Sequence, residues 1–302
     1  MNSADIKILF SLQPSEAIAF LKQKSIYVSW DWQDMLDDAH ATAFTIAKTA
    51  KMDVIDDIFR SINKAIENGQ TLNQFIKKLQ PILERKGWWG KKYVVNPSTG
   101  ETQKVQLGSP HRLKTIYLTN LQSAYMAGRY VTMLEAQDTH PYWMYVAIMD
   151  DRTRPAHSAL HGLVYEASDP VWDTMYPPLD FRCRCRVRPI SAERGKNLVL
   201  NSPKLETQII DIGKNEFTGE ERFAARTGIR LNGKFIAPSA GFNANVGKSM
   251  LSRVASIAID KAQATHPEIA RIAIKEMMKN PKFVKALTAE QQKFVNELCQ
   301  NY

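Results

Sequence analysis

Two histidines and two cysteines bracket one stretch of this 302-residue chain, with His157 and His161 near its start and Cys183 and Cys185 near its end. Imidazole nitrogens and thiolates are the donors that suit a borderline-soft cation such as Zn2+, and four of them would close a structural tetrahedral site. The cysteine spacing argues the other way. Zinc-binding pairs usually leave at least two residues between the cysteines, whereas Arg184 alone intervenes here. The competing reading packs both cysteines as small apolar groups, with the histidines hydrogen-bonded to backbone or to Asp150 or Asp151. A structural Zn2+ is the one cofactor these residue types suggest, and neither reading excludes the other at this level.

Arginines alternate with the cysteines: Arg182, Arg184, Arg186 and Arg188 interleave Cys183, Cys185 and Val187. On a strand this pattern puts the cysteines and Val187 on one face. The arginines then stand about 7 Å apart on the other, near the phosphate spacing of one DNA strand. Such a row would contact nucleic acid without reading its sequence; a solvated or subunit-paired face is the equal alternative. Arg152 and Arg154 beside Asp150 and Asp151 are expected to form ion pairs that pin the loop, although the same cluster would also hold an anion. A metal-dependent nuclease would use His157 or His161 as general base, an aspartate to orient it and an arginine on phosphate. Nothing in the spacing demands that arrangement. Neither a GxxxxGK[ST] phosphate loop nor a GxSxG elbow occurs, so no catalytic residue is assigned and a non-enzyme is expected.

The elements around these residues follow from periodicity. Residues 142–149, YWMYVAIM, suit a buried strand that pairs across the loop with a second strand at 183–188. Before them, Leu113, Ile116, Tyr117, Leu121 and Tyr125 define a helix over about 111–136, and Ile55, Ile58, Ile62 and Ile66 define an earlier one. Gly69 ends that earlier helix, and Thr71 to Gln74 form a capping box that opens the next, giving an αα-hairpin. Residues 87–110 read as a loop or small β-hairpin, in which Trp88 and Trp89 are expected as an exposed aromatic pair for a protein contact, with stacking on bases beside Lys91 and Lys92 the alternative. Residues 191–248 show no sustained period and are expected as an extended arm. Helix returns from about Ser249, with a second capping box at Thr288 to Gln291. The expected fold is therefore α+β: a helical N-terminal region (1–110), a small α+β module with a short β-sheet (111–190), and an extended basic arm with C-terminal helices (191–302).

Composition bounds the function. Hydrophobic residues at 44% and charged residues at 24% describe a chain that folds. Three cysteines, Cys299 included, argue against a disulfide framework. No long apolar run and no leader pattern at the N-terminus are present, so cytosolic residence without membrane contact is expected. Residues 1–181 carry a net charge of −1 and residues 182–302 carry +10, which favours a polyanionic partner at the C-terminal part.

Residues 150–191 carry a family resemblance. Asp151-Arg152-Thr153, His157, Gly162, Asp169-Pro170, Trp172, Pro177-Pro178 and Cys183-Arg184-Cys185 stand in the order of the defining block of the phage Mu protein F-like head-morphogenesis family. The likeness extends over roughly residues 1–190, through His40 to Lys48, the Gly87-Trp88-Trp89-Gly90 turn and the Leu113 to Arg129 helix. It implies a minor capsid protein of a phage or prophage, acting in procapsid assembly near the portal. Portal, coat and scaffold subunits would be its partners, nonspecific DNA contact an accompaniment, and the virion its destination after assembly in the host cytoplasm. The alternatives are a metal-dependent nuclease on His157 and His161, or a DNA-binding accessory protein outside the capsid.

Overall fold

Apolar residues three and four apart build the first part of the chain. The computed structural model describes residues 14–96, 99–215 and 218–300. Helix α1 (Pro14–Gln23) leads into β1 (Ser25–Ile26), which pairs in parallel with β2 (Ala43–Phe44) across helix α2 (Asp37–Thr42). Helix α3 (Met52–Glu67) buries Val54, Ile55, Ile58, Ile62 and Ile66, the stripe its sequence spells. Gly69, at φ +58°, supplies the left-handed residue that ends it. The Thr71 hydroxyl accepts from Gln74 N at 3.3 Å while Gln74 Oε1 accepts from Thr71 N at 2.8 Å, so the expected capping box opens α4 (Leu72–Arg85). Buried Leu83 anchors the last turn of α4 beyond Pro81, which lies inside the helix.

The Gly-rich segment forms the hairpin β3 (Lys91–Val95) and β4 (Thr102–Gln106). Its tryptophans correct the sequence expectation of an exposed pair. Trp88 is buried, its indole N–H donates to Thr49 Oγ1 at 2.9 Å, and the Arg112 guanidinium lies 5.0 Å from its ring centroid. Gly87 and Gly90, at φ +73° and +75°, turn the chain back so that the indole closes the base of the hairpin. Only Trp89 remains half-buried.

Helix α5 (Pro110–Glu135) runs beneath the next unit, a three-stranded antiparallel sheet. Its central strand β5 (Tyr142–Val146) pairs with β6 (Val164–Glu166) on one side and β7 (Arg186–Ile190) on the other. Short helices α6 (Pro155–Ser158), α7 (Val171–Thr174) and α8 (Ala192–Gly195) lie in the connections and after β7. The extended arm takes the form of a long hairpin, β8 (Leu205–Lys214) and β9 (Glu221–Leu231), with β10 (Lys234–Ile236) added at the edge of β9. It shows little alternation because much of it stays in water: Ile209 and Phe223 are 65% and 55% exposed, so no buried face imposes a period of two.

Helices α9 (Val246–Gln263), α10 (Pro267–Met278), α11 (Pro281–Ala286) and α12 (Ala289–Gln300) complete a mixed α+β fold. The second capping box is present, with Gln291 N donating to Thr288 Oγ1 at 3.2 Å and Thr288 N to Gln291 Oε1 at 3.0 Å. One apolar cluster takes residues from α1, α3 to α5, the β5 sheet and the first turns of α9. A second joins the rest of α9 to α10, α11 and α12, so α9 belongs to both. Among the described residues no helix is long and apolar enough to cross a membrane.

Lys24, at the end of α1, is buried, with its ammonium donating to the carbonyls of His40 and Ala43 at 3.3 and 3.4 Å. Burial lowers its pKa from 10.5 to about 7. The unfolded chain therefore binds this proton more tightly than the folded one, and stability falls as pH drops from 10.5 to about 7. Replacing the lysine by an apolar side chain, K24M, is expected to raise the thermal midpoint at pH 7 and to lose that advantage toward pH 10. Melting curves of both proteins across this range check it, and a gap independent of pH would refute it.

Candidate functional site

A polar stripe on α5 sets the site. Thr119, Gln122, Met126 and Arg129 recur at helical spacing on one face and meet the chain as it approaches β7. Thr119 Oγ1 accepts from Arg182 N at 3.3 Å, Gln122 Nε2 donates to the Cys185 carbonyl at 2.6 Å, and Arg129 Nε donates to the Val187 carbonyl at 2.6 Å. The Met126 carbonyl accepts from the Tyr176 hydroxyl at 3.0 Å. A buried carbonyl left bare costs about 1–3 kcal/mol, so Gln122 is a strong determinant of where Cys185 lies. The apolar stripe of this helix was legible in the sequence and this polar one was not; a glutamine recurring in phase with core residues was its only signal.

The regular strand starts at Arg186, three residues later than the alternation from Cys183 predicts. Arg182 has φ +55°, which bends the chain, and the cysteines occupy this bend. Both are buried, and both sulfurs face the ring of His157, which α6 presents from across the loop. His157 Nδ1 lies 3.7 Å from Cys183 Sγ and 3.6 Å from Cys185 Sγ, and the three donor atoms fall within 4.8 Å of one another. His161 is outside the cluster: it is exposed, and its Nδ1 accepts from Ala147 N at 3.2 Å. Tyr145, from the centre of β5, also reaches the sulfurs. Its buried hydroxyl lies against the Cys185 sulfur, and burial followed by the charge of the two sulfurs pushes its pKa up. Against burial, which raises it, contact with Cys185 and His157 holds the Cys183 thiol well below its ordinary range. The contact with Cys183 and then burial push Cys185 the other way.

The loop that carries His157 is clamped from outside. Asp150 accepts from both guanidinium nitrogens of Arg184, one at 2.8 Å, and from Arg152 Nη2 at 3.1 Å. Arg184 Nη2 also donates to the Thr153 hydroxyl at 2.9 Å, and Thr153 bonds the Ile148 carbonyl. Arg154 pairs with Asp180 at 3.0 Å and donates to the Phe181 carbonyl at 3.1 Å. Arg152 thus forms the expected ion pair with Asp150, while Arg154 pairs outside the cluster, with Asp180. Pro155 then starts α6 with its φ already near the helical value.

The four alternating arginines separate into two pairs. Arg182 and Arg184, with Lys114, Arg152, Arg154 and His111, line a cleft of about 670 Å3 between α5 and the loop. Arg182 is held there by the Thr115 hydroxyl at 2.8 Å and by the ring of His111. Arg186 and Arg188 lie on the outer face of β7, Arg186 half-buried and Arg188 exposed. Regular strand spacing applies to this second pair alone. Asp150 and His157 do not form a base-and-aspartate pair, since Asp150 is engaged by Arg184 and Arg152 while His157 Nδ1 faces sulfur.

Residues 56–188 match the family described as Phage Mu protein F like protein. Over 252 residues the chain is 41% identical to a candidate capsid assembly protein F of Escherichia phage Mu, covering 82% of this chain and 57% of that one. It is 43% identical over 226 residues to the Mu-like prophage FluMu F protein of Haemophilus influenzae, covering 74% of this chain and 53% of that one. The chain thus spans a little over half the length of these relatives. No solved structure matches it.

The Arg184 contact holds the Asp150 carboxyl well below its ordinary range, so it stabilises the fold above pH 3.8 and that contribution is lost as pH falls below this value. D150N is expected to lower the urea midpoint at pH 7 and to lower it by less at pH 2, where part of the contribution has been lost. Denaturation curves at both pH values check this, and an equal gap at the two would exclude the charged pair as its source.

Proposed function

The chain belongs to the Mu protein F-like family, and from that membership we propose that it acts in assembly of a phage head. The observation that carries the reading is 41% identity over 252 residues to a phage protein whose name refers to capsid assembly. Portal, coat and scaffold subunits are the partners this reading names, with a position near the portal. Its output is binding rather than turnover.

Two surfaces suit that work. Ile209 and Phe223 stand on adjoining positions of the β8–β9 hairpin, diagonal across the pairing of Ile209 with Ala225 and Asp211 with Phe223, and both are exposed. Large apolar side chains exposed on this hairpin fit a protein partner better than water. The cleft beside the signature loop suits DNA: Arg182 bonds the Thr115 hydroxyl and the His111 ring there, and Lys114 lines the same wall. Phosphates would displace counterions from these cations without any base being read.

The assembly reading is tested in a phage that encodes the protein, by mass spectrometry of proheads and virions. The polypeptide is expected in proheads, and the double substitution I209K/F223K is expected to fold with an unchanged thermal midpoint yet be depleted from them. Normal heads built without the polypeptide would end the reading. For DNA, K114A/R182A is expected to weaken duplex binding and to reduce the slope of log affinity against log salt by about 2, roughly one per cation removed. An unchanged slope would remove the cleft from the contact.

A further inference from the structure

The geometry points to a bound zinc ion, which we propose is held by His157 Nδ1, Cys183 Sγ and Cys185 Sγ inside the fold. This is independent of the assembly reading. In tetrahedral coordination, Zn–S distances of about 2.3 Å and Zn–N distances of about 2.0–2.1 Å put nitrogen and sulfur about 3.6 Å apart. The two separations here are 3.6 and 3.7 Å. The donors come from two segments 26 and 28 residues apart in sequence, and both bring them to a common centre rather than to surface positions.

Charge supports the same conclusion. Zn2+ with two thiolates and a neutral imidazole carries no net formal charge, which is what a buried site tolerates. Binding forms two Zn–S bonds and one Zn–N bond, two thiol protons leave to solvent, and nothing is oxidised or reduced. The Tyr145 hydroxyl supplies a separate observation. It is buried against the Cys185 sulfur, and a metal-bound thiolate is a stronger acceptor for it than a thiol.

The close cysteine spacing, an objection while both residues are imagined on a flat strand, loses its force on this backbone. The left-handed turn at Arg182 and the bond from Gln122 to the Cys185 carbonyl put both sulfurs on the inner side of a bend. Three protein donors leave a fourth position, which water fills in sites with this ligand count. The ion would fasten the loop that carries His157 to the approach of β7.

The test uses the full chain without a histidine tag. Elemental analysis after purification in zinc-containing buffer is expected to give about one zinc per chain in wild type, H161A and C299S, and less than a tenth in H157A and C185S. Because the last two could fail to fold, the chelator-treated wild type is also titrated with Co2+, expecting thiolate-to-cobalt absorption that saturates at one equivalent. Wild type with less than a tenth of an equivalent of zinc and no thiolate-to-cobalt band overturns the proposal. So does zinc that is retained in folded H157A but lost in H161A.

Discussion

Everything around the signature loop depends on polar groups of one long helix that hold a bent, non-regular segment of chain. The approach to β7 cannot satisfy its own carbonyls as a strand, because it bends at Arg182 and pairs with β5 only from Arg186 onward. Gln122 supplies a missing donor to the Cys185 carbonyl and Arg129 donates to Val187 just inside β7, and each bond is worth about 1 kcal/mol net while preventing a larger desolvation cost. Once those carbonyls are held, the side chains of Cys183 and Cys185 have one direction left, toward His157. A buried cluster of polarizable donors is thus a product of backbone satisfaction as much as of the cysteines themselves.

Electrostatics divides the same region into an inside and an outside. Inside, thiols, imidazole and the Tyr145 hydroxyl lie where an uncompensated charge is costly, so they must share protons or a cation. Outside, the Arg184 side chain is only 10% exposed and its charge is met by Asp150, while Arg154 meets Asp180. These pairs hold the loop shut over the cluster, Arg152 shares Asp150 with Arg184, and Lys114 of the cleft is left exposed. The basic character of the cleft is therefore a remainder, set by which arginines the fold has already engaged.

Packing explains why this module is firmly placed. Tyr130 of α5 meets Trp143 at 5.6 Å and Tyr176 at 5.4 Å, both edge to face, and Trp172 lies 5.9 Å from Trp143. Asn245, the N-cap of α9, donates to the Trp172 carbonyl at 2.9 Å and so ties the C-terminal helices to the signature module. The β8–β9 hairpin carries its apolar side chains into solvent instead, which is the arrangement expected of a surface completed by another protein.

The family, the α+β class, both capping boxes and the helices over 52–67 and 110–135 were legible because each is written in residues close together in the chain. Local periodicity and cap chemistry act over three to seven residues, and no distant contact overrides them here. The four candidate donors were legible as a set, but their membership in a cluster was decided by tertiary structure. Whether His161 or His157 turns inward depends on the register of a short helix against a sheet strand, a relation between residues far apart in sequence. The fate of the arginines was equally hidden, since alternation shows which side chains share a face only if the backbone is extended, and the bend at Arg182 breaks that premise. Trp88 went the same way: two glycine turns sent an aromatic that reads as exposed into the core. Sequence alone determined which chemistry was available; long-range hydrogen bonds to α5 decided where it converges.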